Sequence, residues 1–415
     1  MTPGGSFPLF RKGAVQGLTS DRLFSFYIEF PIGKAVKKET RVAYEDEYAD
    51  CAWLDFDTLE QFMVDGFKAA GLPEKDAKVC AEVLITSDKR GIDSHGIGRF
   101  KPIYIDRMDD GILNPVTEVE IVKETPTTAV LDGHNGMGHV VAKQAMQIAI
   151  DKARQLGMGM TAVRNSTHYG IAGYYSLMAI REGMIGITGT NARPSIAPTF
   201  GVENMLGTNP LTIGFPTDEE FEFLIDCATS VTQRGKIEVY GRAGKDLPPG
   251  WVIGEKGEDR TDTLQILTDL TKGKAALAPL GGIGEEGAGF KGYSYATAVE
   301  VLSAALQGGA FLKALNGFNN DGEKVPYPLG HFFIAINIEN FLGLDLFRRI
   351  AGQIMRDLRG SKLAGGAERI YTAGEKEWIA WQYRKEHGCP VPPVLQSQMV
   401  ELRDRWQLDY SFPWE

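Results

Sequence analysis

Residues 281–289 read GGIGEEGAG, and Gly282, Gly284 and Gly287 within them reproduce the G-x-G-x-x-G spacing of a dinucleotide-binding turn. Such a turn works by aiming backbone N–H groups and a helix N-terminus at a pyrophosphate. Here Glu285 and Glu286 place two negative charges inside the loop, and the preceding Pro279-Leu280 does not read as a strand. The surrounding elements do not alternate as β-α-β either. The run is therefore read as a flexible glycine loop, and the fold is sought outside the Rossmann arrangement.

Working outward, the chain begins and ends in helical patterns around a mixed middle. Leu59, Phe62, Met63, Phe67 and Ala70 fall on one helical face that Gly71 ends, and Pro73-Glu74 opens a second helix running to about Lys89. A third helix is expected from Ser94 to near Gly111. Beyond Asn114-Pro115, short branched runs predict strands at Val119–Val122, Thr128–Leu131, Met160–Arg164, Ile185–Thr190, Leu211–Phe215, Phe223–Asp226 and Phe332–Ile338. Val140–Leu156 and Ile171–Glu182 read as helices among them. From about Leu344 the sequence is helical and charged, broken near Gly365-Gly366 and at Pro390 to Pro393. This pattern predicts an α+β fold with a helical domain built from both termini. Residues 1–52 form an extension to which the reading assigns no role, with one candidate strand at Phe24–Phe30 and a charged stretch at Lys37–Asp50.

Composition narrows the function. The 415 residues carry a net charge of -10, with 43% hydrophobic and 24% charged residues, the balance of a globular protein. No basic run is present to neutralise phosphates, which argues against a nucleic-acid partner. No stretch approaches the roughly 18 apolar residues of a membrane span. The N-terminus lacks the apolar core of a secretory signal, so a cytoplasmic protein is expected. Cys51, Cys80, Cys227 and Cys389 are too scattered for a zinc ribbon or a disulfide framework.

The chemistry concentrates in residues 87–100, SDKRGIDSHGIGRF. Ser94 can cap a helix through its hydroxyl, which would put His95 and Arg99, four apart, on one face. A histidine can supply the proton that a carbonyl oxygen needs as hydride reaches its carbon. An arginine can hold an adjacent carboxylate through two hydrogen bonds. Spacing alone favours a capped surface helix with a polar face over the catalytic reading. A metal-dependent hydrolase using Asp132, His134 and His139 is a rival, but these residues lack the H-E-x-x-H spacing.

The stretch resembles the signature D-x-R-G-x-x-S-H-G-x-x-R of the malate/L-lactate dehydrogenase-like NAD(P)H oxidoreductases, a family that also holds ureidoglycolate dehydrogenases, diketogulonate reductases and cyclic-imine reductases. The likeness continues through DGHNGMGHVVAKQAM at 132–146, RNSTHYGIAGYYS at 164–176, MLGTNPLTIGFP at 205–216, LIDCATS at 224–230, GFKGYSYATAVEVLS at 289–303 and HFFIAINIENF at 331–341. It implies a non-Rossmann fold, NAD or NADP as cofactor, a small 2-oxo or 2-hydroxy acid as substrate, and a homodimer. It implies His95 as proton donor, Arg99 and Ser94 at the substrate, and His168 as a second acid–base group. Cofactor contacts are implied at Ala192, Asp226, Cys227, Ala228, Phe290, Lys291, Gly374, Glu375 and Lys376. Asp226 could hydrogen-bond ribose hydroxyls, and Lys291 could balance pyrophosphate charge at a helix start. The chain departs from the usual L-P-G-E near its C-terminus, carrying Thr372-Ala373-Gly374-Glu375. The domains would be 53–115, helical and carrying His95 and Arg99; 116–342, mixed α/β and cofactor-binding; and 343–415, completing the helical domain. Pyruvate, oxaloacetate, ureidoglycolate and cyclic imines all stay open as substrates. A relative that keeps the fold without turnover is the non-enzymatic alternative.

Overall fold

The computed structural model describes residues 48–415, apart from Ala243. Most of the N-terminal extension, including Phe24–Phe30, lies outside the described residues. Residues 48–415 form one compact unit. Strand β1 (Ala52–Leu54) leads into helices Phe56–Ala69 and Glu74–Lys89. Asp55 caps the first, its carboxylate accepting from the Thr58 N–H at 2.8 Å. Leu59, Phe62, Met63 and Phe67 are buried as their spacing predicts.

A seven-stranded mixed sheet follows, in which β2 (Glu120–Glu124), β3 (Thr128–Asp132), β4 (Met158–Ser166), β5 (Met184–Thr190), β6 (Leu211–Phe215) and β7 (Phe223–Cys227) are joined later by β11 (Leu329–Asn337). Its order is β2-β3-β4-β11-β5-β6-β7, and only β3 and β4 run parallel. Helix Gly138–Leu156 makes the β3–β4 crossover. Its small face of Ala142, Ala145, Ala149 and Ala153 is wholly buried. The approach is close: a Cβ on Gly159 would sit 2.1 Å from the Ala149 carbonyl oxygen. A small sheet of β8 (Val252–Gly254), β9 (Asp259–Arg260) and β10 (Ala275–Leu277) was not foreseen. Its strands are too short for a period-2 pattern. Helix Gly289–Ala304 then returns the chain to β11 (Leu329–Asn337), the central strand, where Phe332 and Phe333 are buried.

The C-terminal segments divide. Helix Leu344–Arg359, expected with the helical half, is tied to the turn after β6, Arg356 binding Asp218 at 2.9 Å and Arg359 pairing with Glu219. Helices Glu375–His387 and Pro393–Trp406 do join the N-terminal ones, in an apolar cluster that includes Phe62, Phe67, Leu84, Phe100, Met399, Leu402 and Phe412. Strand β12 (Cys389–Val391), expected only as a proline break, pairs antiparallel with β1. No helix among the described residues is long and apolar enough to cross a membrane.

Arg384 links the two termini. Its side chain is fully buried, and it donates to the Asp88 carbonyl at 2.7 Å and to both Asp93 oxygens at 2.6 and 2.8 Å. Removing Arg384 takes the side-chain donor from the buried Asp88 carbonyl and the partner from Asp93, whose carboxylate is itself exposed, a loss of charge-assisted hydrogen bonds larger than that of a pair exposed on both sides. Arg384→Met should therefore lower unfolding free energy by about 2 kcal/mol. Urea denaturation checks this, and a loss below about 1 kcal/mol would reduce the pair to an ordinary surface contact.

Candidate active site

The site begins with a buried carboxyl. Asp88, in the last turn of helix Glu74–Lys89, accepts from the Ile97 N–H at 2.9 Å. Burial and the neighbouring Asp93 push its carboxyl up to about 8. Gly96 lies directly over it, where a Cβ would fall 1.7 Å from Asp88 Oδ1. This corrects the expected helix start. Helical backbone begins at Ile97, because Asp88 and not Ser94 supplies the acceptor for its free N–H. Ser94 instead places its hydroxyl 2.8 Å from His95 Nδ1, while its carbonyl accepts from Arg99 Nε at 2.5 Å. His95 and Arg99 thus meet across a turn rather than along a helix face.

After Arg99 the helix widens into a π turn over Phe100–Ile105. Pro102 lacks an N–H and crowds the preceding turn, which an i→i−4 ladder cannot accommodate. The widened turn carries Tyr104 inward, its hydroxyl 2.6 Å from His168 Nδ1. The Gly170 N–H also reaches that nitrogen, at 3.3 Å. A backbone N–H can only donate, so Nδ1 is an acceptor, Tyr104 donates to it, and the His168 hydrogen sits on Nε2. Burial raises the Tyr104 hydroxyl well above its usual range, which keeps it a donor. The His168 ring stacks on His95, centroids 5.8 Å apart.

Both histidines are neutral at pH 7. Burial, then the Arg99 charge, pushes His95 down to about 4. Burial, then His95 and Arg107, holds His168 well below its usual value. His139 completes the group, its ring centroid 4.6 Å from that of Tyr104 and both ring nitrogens buried with no hydrogen-bond partner among the described residues. Asp132, His134 and His139 do not gather as ligands. Asp132 binds Arg164 and Asn165, each at 2.8 Å, and His134 faces Glu120 at 3.1 Å. Among the described residues no group of three or more His, Cys, Asp or Glu side chains is placed to hold a metal ion.

The expected cofactor residues divide into carboxylates held inside and groups left open. Asp226 accepts from the Gly173 N–H at 2.8 Å and the Thr212 hydroxyl at 3.2 Å, so it anchors the start of helix Gly173–Arg181. Glu375 is buried, bound by Arg369 and by the Thr372 N–H at 3.1 Å. Cys227, Phe290, Lys291 and Lys376 are exposed, and Ala192 and Ala228 are partly so. Gly374, with φ at 92°, lies against the Glu222 carbonyl, where a Cβ would be 2.4 Å away. At the other end of β7, the Thr229 carbonyl accepts from the Leu280 N–H at 2.8 Å. Leu280 in turn touches Gly292, beside Lys291. The open groups therefore lie along β7, spanning roughly 15–20 Å at strand rise. Among the described residues Lys291 and Lys376 form no ion pair, each lying instead over an aromatic ring, while Asp226 and Glu375 are hydrogen-bonded inside.

A model of the malate/L-lactate dehydrogenase family matches residues 54–400. A malate dehydrogenase structure from Entamoeba histolytica is 45% identical with a TM-score of 0.84, covering 87% of this chain and all of that one. The malate dehydrogenase of Pyrococcus abyssi is 43% identical over 349 residues, 84% of this chain and 93% of that protein. The L-sulfolactate dehydrogenase of Methanocaldococcus jannaschii is 40% identical over 343 residues, 83% and 94% of the two chains. By class the protein is a nicotinamide-dependent dehydrogenase with a mixed α/β fold. It belongs to the malate/L-lactate dehydrogenase family.

Sequence reading missed Asp88, Tyr104 and Asp93. Asp88 and Asp93 lie inside the quoted motif, but nothing local shows that one is buried under Gly96 and the other clamps Arg384. The buried histidines also give the protein an acid limb. Burial pushes His139 down to about 3, below its unfolded value near 6.5. Between those values the unfolded chain binds a proton that the folded one refuses, so stability is lost as pH falls. His139→Gln removes that proton. Below about pH 6 the wild type should lose up to about 1.4 kcal/mol per pH unit more than the variant. Urea midpoints at pH 7 and 4.5 measure the difference, and parallel profiles would refute it.

Proposed function

We propose that this chain interconverts a small 2-oxo acid and its 2-hydroxy acid, with His95 moving the proton and Arg99 clamping the carboxylate. The observation that carries this reading is a neutral imidazole held beside a guanidinium that has no carboxylate partner among the described residues. NAD or NADP, when bound, supplies or accepts the hydride at carbon 2, and a site outside any Rossmann crevice is part of the proposal. Phe290, Lys291 and Lys376, with backbone at Ala192, Cys227, Ala228 and Gly374, would hold it. Asp226 and Glu375 would shape that band through the backbone they anchor.

His95 presents Nδ1 to Ser94, which leaves Nε2 for the substrate. In hydroxy-acid oxidation the neutral ring accepts the hydroxyl proton directly. In the reducing direction it must first be charged. A carboxylate bound at Arg99 offsets the second, smaller cause of the low His95 value, the guanidinium charge, so the acid forms more readily where substrate is bound. His168 has its Nδ1 occupied by Tyr104 and Gly170 and offers only the Nε2 hydrogen, so it orients the substrate oxygen while His95 carries the proton. A cytoplasmic homodimer belongs to the same proposal. Ile350, Ile354 and Leu358 form an exposed apolar row along helix Leu344–Arg359, continued by Phe341 and Leu342. Light scattering that gives a monomer mass would remove this part.

Steady-state kinetics with NADH or NADPH and a panel of 2-oxo acids tests the mechanism. His95→Ala should lower kcat by roughly 10²–10⁴, and Arg99→Lys should act mainly on KM. Lys291→Ala should weaken cofactor more than Gly284→Ala. For hydroxy-acid oxidation, kcat/KM should show no histidine limb near pH 6.5, since the free base is already neutral there. Near-full activity in His95→Ala, or a larger kcat loss in His168→Ala, would overturn the assignment.

A further inference from the structure

Two more arginines stand beside the site with no ion-pair partner among the described residues. Arg107 follows Tyr104 by one helical turn, and Arg193 follows the end of β5 and Ala192. Both guanidiniums lie over the Tyr327 ring, at 5.0 Å for Arg107 and 5.7 Å for Arg193, and Arg193 also lies 5.3 Å from the Phe318 ring. Tyr327 is itself fixed in a small apolar cluster with Ile112, Leu315 and Leu329. Among the described residues neither arginine forms an ion pair or a side-chain hydrogen bond, although acidic residues outnumber basic ones in the chain, 54 to 44. Burial, followed by the charges of Arg193 and Arg99, lowers Arg107 to about 10 against the partial relief of Tyr104. The charge of Arg107 also reaches His168.

Three guanidiniums this close repel one another, and clustering them without carboxylates is costly unless an anion joins them. Stacking on an aromatic face leaves the planar edge of a guanidinium free for a two-pronged bond to an acid group. If Arg99 takes the carboxylate beside the reacting carbon, a 2-oxo acid with one acid group uses one guanidinium and leaves two uncompensated. A substrate with a second acid group uses them.

We propose, building on the reading of the site given above, that Arg107 and Arg193 bind the second acid group of a dianionic 2-oxo acid, and so select diacids over monoacids. A carboxylate and a sulfonate share the chemistry. Oxaloacetate and sulfopyruvate are the two arms that separate them, with pyruvate as the monoacid control.

The test measures kcat/KM for all three acids in the full chain, in Arg193→Gln, Arg193→Lys and Arg107→Gln. Wild type should favour a diacid over pyruvate by at least tenfold. Arg193→Gln should collapse that ratio by about 10- to 100-fold, the worth of one or two charge-assisted hydrogen bonds. The loss should fall on KM more than kcat, and Arg193→Lys should restore part of it. A larger effect on oxaloacetate or on sulfopyruvate identifies the second group. A ratio unchanged by these substitutions, or wild type preferring pyruvate, would overturn the proposal while leaving the reaction assignment standing. Should wild type reduce none of the acids, the reaction assignment fails. Thermal shifts with malate and lactate then judge the arginines separately, since stabilisation by malate that is no stronger than that by lactate, or that survives Arg193→Gln, would also refute them.

Discussion

The site rests on what happens beneath Gly96. A turn of alternating small and polar residues has no fold of its own, and Asp93–Gly96 is held from below by two buried groups. Asp88 takes the first free N–H of the next helix, and Arg384 grips Asp93 and the Asp88 carbonyl from a helix almost three hundred residues later. Each contact alone is modest. Together they fix the directions of His95 and Arg99, which a solvent-exposed turn would leave free. The placement of these two side chains therefore depends on the pairing of an early strand with a late one, β1 against β12, and on Arg384.

Charge is sorted in the same way across the whole site. Asp132, Asp226, Glu300 and Glu375 all point inward to backbone or side-chain donors. Glu300, for example, accepts from Asn209 and from the Leu312 N–H at 2.7 and 2.8 Å. An inward carboxylate with its lone pairs filled costs little and stiffens a loop. The cations are treated oppositely: among the described residues Arg99, Arg107, Arg193 and Lys291 form no ion pair. In a protein of net charge -10 this segregation creates a local field that attracts anions where the overall charge repels them.

Local periodicity revealed most of the strands, because β5, β6 and β7 carry branched residues bounded by turn formers, and it revealed the helix Gly138–Leu156 through its apolar stripe. The glycine run itself is a loop between β10 and helix Gly289–Ala304, with Gly282 and Gly284 at left-handed φ values of 91° and 71°, and the seven-stranded sheet holds one parallel pair. Ser94 misled for a physical reason: capping rules look one to three residues along the chain, whereas the acceptor used here is nine residues away. Arg107 and Arg193 were invisible for the same kind of reason. They are 86 positions apart and meet only at Tyr327, which lies farther on again.

Sequence presents His95 as the proton donor and His168 as a second acid–base candidate, each with a glycine within two residues. The fold separates them by spending one nitrogen of each ring differently. His168 gives its acceptor lone pair to Tyr104 and Gly170, which leaves a ring that can only donate. His95 faces a serine hydroxyl that can either accept or donate, so it tolerates both protonation states. In the mechanism proposed above His95 gains and loses a proton in each turnover and needs that tolerance, whereas His168 holds an oxygen in place and does not. The π turn at Pro102 is what makes the distinction, because it swings Tyr104 onto one histidine and not the other.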